Sequence, residues 1–178
     1  MSKPRDQPKR LLLLTGEGKG KSSSAFGMVM RAAGWGMRVA VIQFIKGKWP
    51  TGEEKAAKLL PGIDWFAMGD GFTWDTENPE QDRATSRRIW DFCRERIRGR
   101  RDDLVVLDEI LYAMAYGWLS GAEVAAFLAE QRPWHGHLVL TGRSAPEELV
   151  ALADTVTEMK LLKHGFSAGL TATRGVEF

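Results

Sequence analysis

Thr15-Gly16-Glu17-Gly18-Lys19-Gly20-Lys21-Ser22 decides how the rest of the chain is read. It follows the apolar run Leu11–Leu14 and opens into Ser23-Ser24-Ala25-Phe26-Gly27-Met28-Val29-Met30, which continues as a helix. Strand, glycine-rich loop and helix in that order form the context of a phosphate-binding loop. Glycines let several backbone N–H groups converge on a polyphosphate, and the helix N-terminus adds the positive end of its dipole. Lys21 would reach phosphate oxygens and the Ser22 hydroxyl would ligate a magnesium ion. The usual pattern has a glycine five places before Gly20; here that place holds Thr15, and Gly16 comes one later. The competing reading is a glycine-rich turn with no ligand. The flanking pattern favours nucleotide.

Outward from the loop, Leu11–Thr15 reads as a buried strand and the helix should stop near Gly34-Trp35-Gly36. Met37–Phe44 reads as a second strand, giving a parallel βαβ unit. The loop that follows carries Lys46 and Lys48 at a carboxyl end, where open α/β sheets bind ligands; two ordinary solvated lysines are the alternative. Glu53–Leu60 reads as a short helix stopped by Pro61-Gly62, and Ile63–Met68 as a third strand. Gly69–Pro79 then sets Phe72 and Trp74 among Gly, Asp, Thr and Asn residues. Turn chemistry explains the polar residues but not the aromatics, which form either a local mini-core or an apolar wall for a flat ligand.

Glu80–Gly99 reads as a long helix with Ile89, Trp90, Cys93 and Ile97 on one face, so Cys93 is expected to be a buried structural thiol. Its arginines alternate with Asp and Glu, the pattern of a solvated face rather than a nucleic-acid patch. Leu104–Leu107 is an apolar strand ending in Asp108-Glu109. Downstream of Gly20-Lys21-Ser22, such a tip reads as the carboxylates that hold magnesium directly or through water. Helices follow at Ile110–Gly117 and Gly121–Gln131. His137–Arg143 reads as a further strand, with Arg143 at a polar tip facing the proposed phosphate site; an ordinary surface arginine is the alternative. Pro146–Ala153 reads as a helix with proline at its first position, and Asp154–Met159 as a last strand. The segment 160–178 has no assignable structure.

The 178 residues suffice for one α/β domain with a real core and too few for two. Residues 1–10 are read as an N-terminal arm and 11–178 as a single P-loop NTPase (RecA-like) domain, a mostly parallel sheet with helices on both faces. Hydrophobic content of 44% and charged content of 27% are those of a globular chain, and a formal net charge of +2 does not advertise nucleic-acid binding. A single cysteine excludes an internal disulfide. The apolar runs are far short of a membrane span and the N-terminus lacks a secretory h-region, so a cytoplasmic location is expected. The single asparagine, Asn78, is not in the Asn-Lys-x-Asp context that selects guanine, which makes ATP the expected nucleotide.

The chain resembles the P-loop ATP:cob(I)alamin adenosyltransferases. The resemblance runs from about residue 11 to Phe178 and rests on segments in order. These are Thr15–Lys21, Arg38–Gly47, Gly71-Phe72-Thr73-Trp74, Val106-Leu107-Asp108-Glu109, Leu140-Thr141-Gly142-Arg143, Ala153–Met159 and Lys163-His164-Gly165-Phe166. The shifted first glycine suits this family. The sequence departs from it at Ser22-Ser23 in place of a Thr pair, at Trp35 where His is expected, at Glu77 where Gln is expected, and in a shorter N-terminal arm. The implied reaction moves the 5′-deoxyadenosyl group of ATP to Co(I) of a reduced corrinoid and releases triphosphate.

The resemblance also implies the residue roles. The ATP-binding set is Thr15, Gly16, Glu17, Gly18, Lys19, Gly20, Lys21, Ser22 and Ser23, with Arg31 further along the helix. Lys21 and Arg143 meet the developing phosphate charge, and Phe72 and Trp74 wall the corrinoid. Ser22, Glu109 and Asp108 are the candidates for Mg²⁺ (or Mn²⁺). An electron-donating reductase such as a flavoprotein, a homodimer and no membrane partner complete the expectation. Two rivals stand beside it: an ATPase or kinase that cuts at the γ-phosphate, and a nucleotide-gated nucleic-acid-binding module.

Overall fold

Most strands of this chain are apolar runs, and the fold follows from covering both sides of the sheet they form; the last, Thr155–Glu158, is exposed. In the computed structural model, which describes residues 8–47, 51–71 and 78–177, the first strand β1 (Leu11–Thr15) leads through the glycine loop into α1 (Lys21–Gly34). There follow β2 (Val39–Gln43), α2 (Gly52–Ala57), β3 (Ile63–Ala67), α3 (Pro79–Arg98) and β4 (Leu104–Asp108). The chain then runs through α4 (Ile110–Ala115), α5 (Gly121–Glu130), β5 (His137–Thr141), α6 (Glu147–Leu152) and β6 (Thr155–Glu158), with a 3-10 turn at Gly165–Ala168.

The strands form one sheet in the order β3-β2-β4-β5-β1-β6, and each neighbouring pair is parallel. Side chains alternate between its faces. Leu11, Leu13, Ala40, Ile42, Val105, Leu107, Leu138 and Leu140 meet residues of α3, α4, α5 and α6. Leu14, Val39, Val41, Leu104, Val106 and Val139 meet Ala25, Phe26, Val29 and Ala32 of α1. A parallel sheet covered on both faces needs the continuous apolar strands seen in the sequence.

Helix ends follow local chemistry. Thr51, Asn78 and Ser120 cap α2, α3 and α5, accepting from the amides of Glu54, Gln81 and Glu123. Helices α2 and α4 end earlier than their apolar patterns suggest, at Ala57 and Ala115. Gly62 and Gly117 shortly beyond take positive φ of 80° and 71°. Pro146 sits one place outside α6, as its N-cap rather than its first residue. The tail, unassignable from the sequence, holds only the 3-10 turn among its described residues.

Helix α3 buries Ile89, Trp90 and Cys93 as its spacing predicts, and burial pushes the Cys93 thiol well above its ordinary range. Its arginines are partly engaged: Arg87 with Glu123, Arg94 with Asp91, and Arg96 with both Asp102 and Asp64. No helix of the described residues is long and apolar enough to cross a membrane. Trp90 is fully buried and lies edge-on to Phe127 at 5.3 Å, 85°. Trp90→Ala should therefore cost about 3–5 kcal/mol, read from urea denaturation; a loss below about 1 kcal/mol would mean that α3 is not anchored through this ring.

Candidate active site

The carboxyl ends of β1, β2, β4 and β5 lie side by side in the parallel sheet, and the glycine-rich loop leaves the end of β1. Helix α1 has no side-chain cap and no acidic residue in its first turn; its N-cap is Gly20, at φ 108°. Its first amides thus lack intrahelical partners and point at the loop's concave side. Gly16 has φ of 96°, and a Cβ there would lie 2.6 Å from the Met159 carbonyl oxygen. A Cβ on Gly18 would lie 2.7 Å from the same oxygen. Gly18 N–H donates to Met159 O at 2.6 Å, and Met159 N–H donates to Thr15 O at 2.8 Å. The loop is therefore clamped against the end of β6, and its glycines are needed for close approach as well as for ligand binding.

Lys21 Nζ donates to the carbonyls of Gly16 at 2.7 Å and Gly18 at 2.6 Å. Burial lowers its pKa, with nearby Arg143 adding to the effect, while Glu17 and Glu109 pull the other way. Arg143 follows β5 and pairs through Nη1 with Glu17 Oε2 at 2.9 Å. Thr15 Oγ1 accepts from the Ala145 amide at 3.3 Å, tying the same β5–α6 loop to β1.

At the tip of β4 two adjacent carboxylates have different surroundings. Asp108 is fully buried. Its Oδ1 accepts from Thr141 Oγ1 at 2.7 Å and its Oδ2 from Gln43 Nε2 at 2.9 Å. Gln43 Oε1 in turn accepts from Trp65 Nε1 at 3.0 Å, and Thr141 Oγ1 accepts from the Glu109 amide at 2.9 Å. Glu109 has φ of 66°, and its Oε2 is buried without a hydrogen-bond partner among the described residues. Burial first, and then the Asp108 charge, push its pKa up to about 7, against the opposing pull of Lys46 and Lys21.

A clamped glycine loop, two cations near it and a buried carboxylate oxygen without a partner among the described residues suit polyphosphate chemistry, and the whole-chain comparisons agree on the family. Residues 8–178 match the model of the family described as ATP:corrinoid adenosyltransferase BtuR/CobO/CobP. The chain belongs to that family. It is 45% identical to the corrinoid adenosyltransferase of Pseudomonas aeruginosa, with 100% of this chain and 88% of that one aligned. It is 43% identical to that of a Sinorhizobium species, covering 100% and 84%, and 40% identical to that of Escherichia coli K12, covering 100% and 90%. Among solved structures the cytoplasmic domain of EssC is similar at a TM-score of 0.53 and 12% identity, over 93% of this chain and 34% of that one. That likeness is one of fold.

Within this adenosyltransferase the structure gathers Thr15–Ser23, Asp108, Glu109 and Arg143 at one edge. Lys46 belongs with them, since its charge acts on Glu109. Arg31 does not: it lies in the last turn of α1 and is exposed, ten residues and about 15 Å of helix from Lys21. Trp35, which replaces the expected His, caps the same far end at 70% exposure. Phe72, Trp74, Glu77 and Lys48 lie outside the described residues.

Sequence reasoning missed Gln43, Thr141 and Tyr112. A glutamine closing an apolar strand and a threonine before Gly142 were visible signals, but their shared partner was not. Tyr112 is one turn beyond Glu109; burial raises its phenol pKa, and it feels the charges of Arg143, Glu109 and Glu17. Thr141→Val should strip Asp108 of one donor and the Glu109 amide of its acceptor, costing about 1–3 kcal/mol for each group left bare. Denaturation with and without MgATP checks this; unchanged stability would mean that the network does not hold the tip of β4.

Proposed function

We propose that the phosphate loop, Glu109 and Arg143 carry the family's reaction, in which the 5′-deoxyadenosyl group of ATP passes to the cobalt of a reduced corrinoid. The observation that carries this assignment is the buried carboxylate oxygen of Glu109, without a partner among the described residues, beside a loop that offers Lys21 and uncapped helix amides. On this reading residues 11–178 are one RecA-like P-loop domain preceded by an arm at 1–10.

The bond that forms joins cobalt to C5′ of the ribose, and the bond that breaks is C5′–O. Co(I) supplies the electron pair and becomes Co(III); the pair of the broken bond leaves with triphosphate. No proton is removed, so no general base is required. Negative charge grows at the α-phosphate end, where Lys21, the α1 amides and Arg143 would meet it without reorganising. The Glu109 carboxylate and the Ser22 hydroxyl suit a hard divalent cation, with Asp108 behind Glu109 holding its backbone through Thr141. No group of three or more His, Cys, Asp or Glu among the described residues could cage a metal. Phosphate oxygens and water would therefore complete the shell, the usual mode for Mg²⁺ or Mn²⁺. A bound divalent ion supplies charge neutralisation for the triphosphate.

Phe72 and Trp74 are assigned to an apolar wall that keeps water from the reduced corrinoid. A flavoprotein is the class of reductase suited to one-electron delivery to cobalt, and a cytoplasmic homodimer is the assembly this reading carries.

Incubation with MgATP and chemically reduced cob(I)alamin under anaerobic conditions tests the assignment. Adenosylcobalamin with stoichiometric triphosphate is expected; ADP and phosphate beside an unchanged corrinoid would overturn it. Lys21→Ala should lower kcat by about 100-fold or more. Trp74→Ala should impair corrinoid adenosylation with ATP affinity nearly intact, whereas equal loss of both in titrations and rates would make the aromatics part of the core.

A further inference from the structure

Glu17 is an anomaly in a loop that holds a polyphosphate, because it carries the ligand's own sign of charge. Its carboxylate is not idle. Oε2 lies 2.9 Å from Arg143 Nη1, across the mouth of the loop, with the two side chains 59% and 46% exposed. Among the described residues this is the one ion pair Arg143 makes. Both charges also reach inward: Arg143 and Glu17 act in opposite directions on Lys21, and both act on the Tyr112 phenol beside Glu109. Glu17 therefore belongs to the charge cluster that meets the ligand.

An exposed pair is weak and easily exchanged. A triphosphate chain offers Arg143 a stronger partner, with more charge and the option of bidentate contact. The balance shifts during the reaction. When C5′–O breaks, the departing oxygen keeps the electron pair, so triphosphate carries one more negative charge than the same chain had in ATP. Lys21, the α1 amides and Arg143 all hold it more strongly than they held the substrate.

We infer that Glu17 is a positioning residue that competes with triphosphate for Arg143, returning the guanidinium to the loop and easing product release. The inference rests on the reading of this loop as the phosphate site. Glu17 acts through Arg143, not on the reacting atoms.

Calorimetric titration of the full chain with magnesium tripolyphosphate tests it, alongside the triphosphate inhibition constant in the adenosylation assay. Glu17→Gln should bind tripolyphosphate about two- to fivefold tighter, with the inhibition constant falling by the same factor. Glu17→Asp keeps the charge but shortens the arm, and should also tighten binding if the contact with Arg143 matters. In an Arg143→Gln background the effect of Glu17→Gln should vanish. Unchanged or weaker binding by Glu17→Gln overturns the inference. Tightening of equal size without Arg143 also overturns it, by reducing Glu17 to a bare repulsive charge. Lys21→Ala separates the two levels: if it leaves tripolyphosphate affinity untouched, the loop is not the phosphate site and the underlying reading is what has failed.

Discussion

A carboxylate with no exposed surface ends the central strand β4, and the carboxyl edge of the sheet is arranged to tolerate it. An unpaired buried charge costs several kcal/mol unless donors replace the lost water (about 3–5 kcal/mol when one partner is removed). Asp108 finds those donors on both flanking strands, Gln43 at the end of β2 and Thr141 at the end of β5. Gln43 is the register partner of Asp108, so sheet pairing itself brings the amide to the acid. Trp65 of β3 then fixes Gln43, and Thr141 fixes the Glu109 amide. One hydrogen-bond chain thereby ties four adjacent strands, through the ends of β2, β4 and β5 and the middle of β3. Shifting any of these strands by one residue would leave a buried polar group without its partner.

That chain also separates the roles of two neighbouring acids. Asp108 has one donor on each oxygen and serves as a strut. Glu109, turned by its left-handed backbone and anchored at its amide, keeps a buried oxygen with no partner among the described residues. The Asp108 charge next door works against its ionisation, while Lys46 and Lys21 favour it. On the proposed reading a bound cation would relieve the same repulsion, which makes Glu109, rather than the satisfied Asp108, the candidate ligand.

Most of the fold was legible because both faces of the sheet's centre are covered, so its strands appear as apolar runs between turn signals, the exposed edge strand β6 excepted. The phosphate loop gave the first crossover, and caps such as Asn78-Pro79 gave helix starts. The strand order β3-β2-β4-β5-β1-β6 was not legible, since it depends on which helix covers which face. The places of Lys21, Glu109 and Arg143 after their strands were legible in the sequence, and the roles proposed for them rest on those places. Gln43 and Thr141 were not, because each is an ordinary polar residue until register sets it beside Asp108. Arg31 shares α1 with Lys21, but helix length carries it to the far end of that helix. Gly16 and Gly18 were read for what they allow a phosphate to approach, whereas Met159, remote in sequence, supplies an equally strict steric reason.

That remote contact bears on the chemistry. Attack at a carbon requires the leaving group to stay fixed while the nucleophile approaches from the opposite side, so the groups that receive the charge must not have to move. Lys21 is oriented by the carbonyls of Gly16 and Gly18, and Gly18 is held by Met159. Met159 is in turn fixed to Thr15, the residue that also anchors the turn after Arg143. The exposed edge strand β6 thus stiffens the loop from outside, while the Asp108 network stiffens the sheet edge from within. Between them lies the exposed Arg143–Glu17 ion pair, a contact weak enough to exchange while the clamped groups around it stay in place.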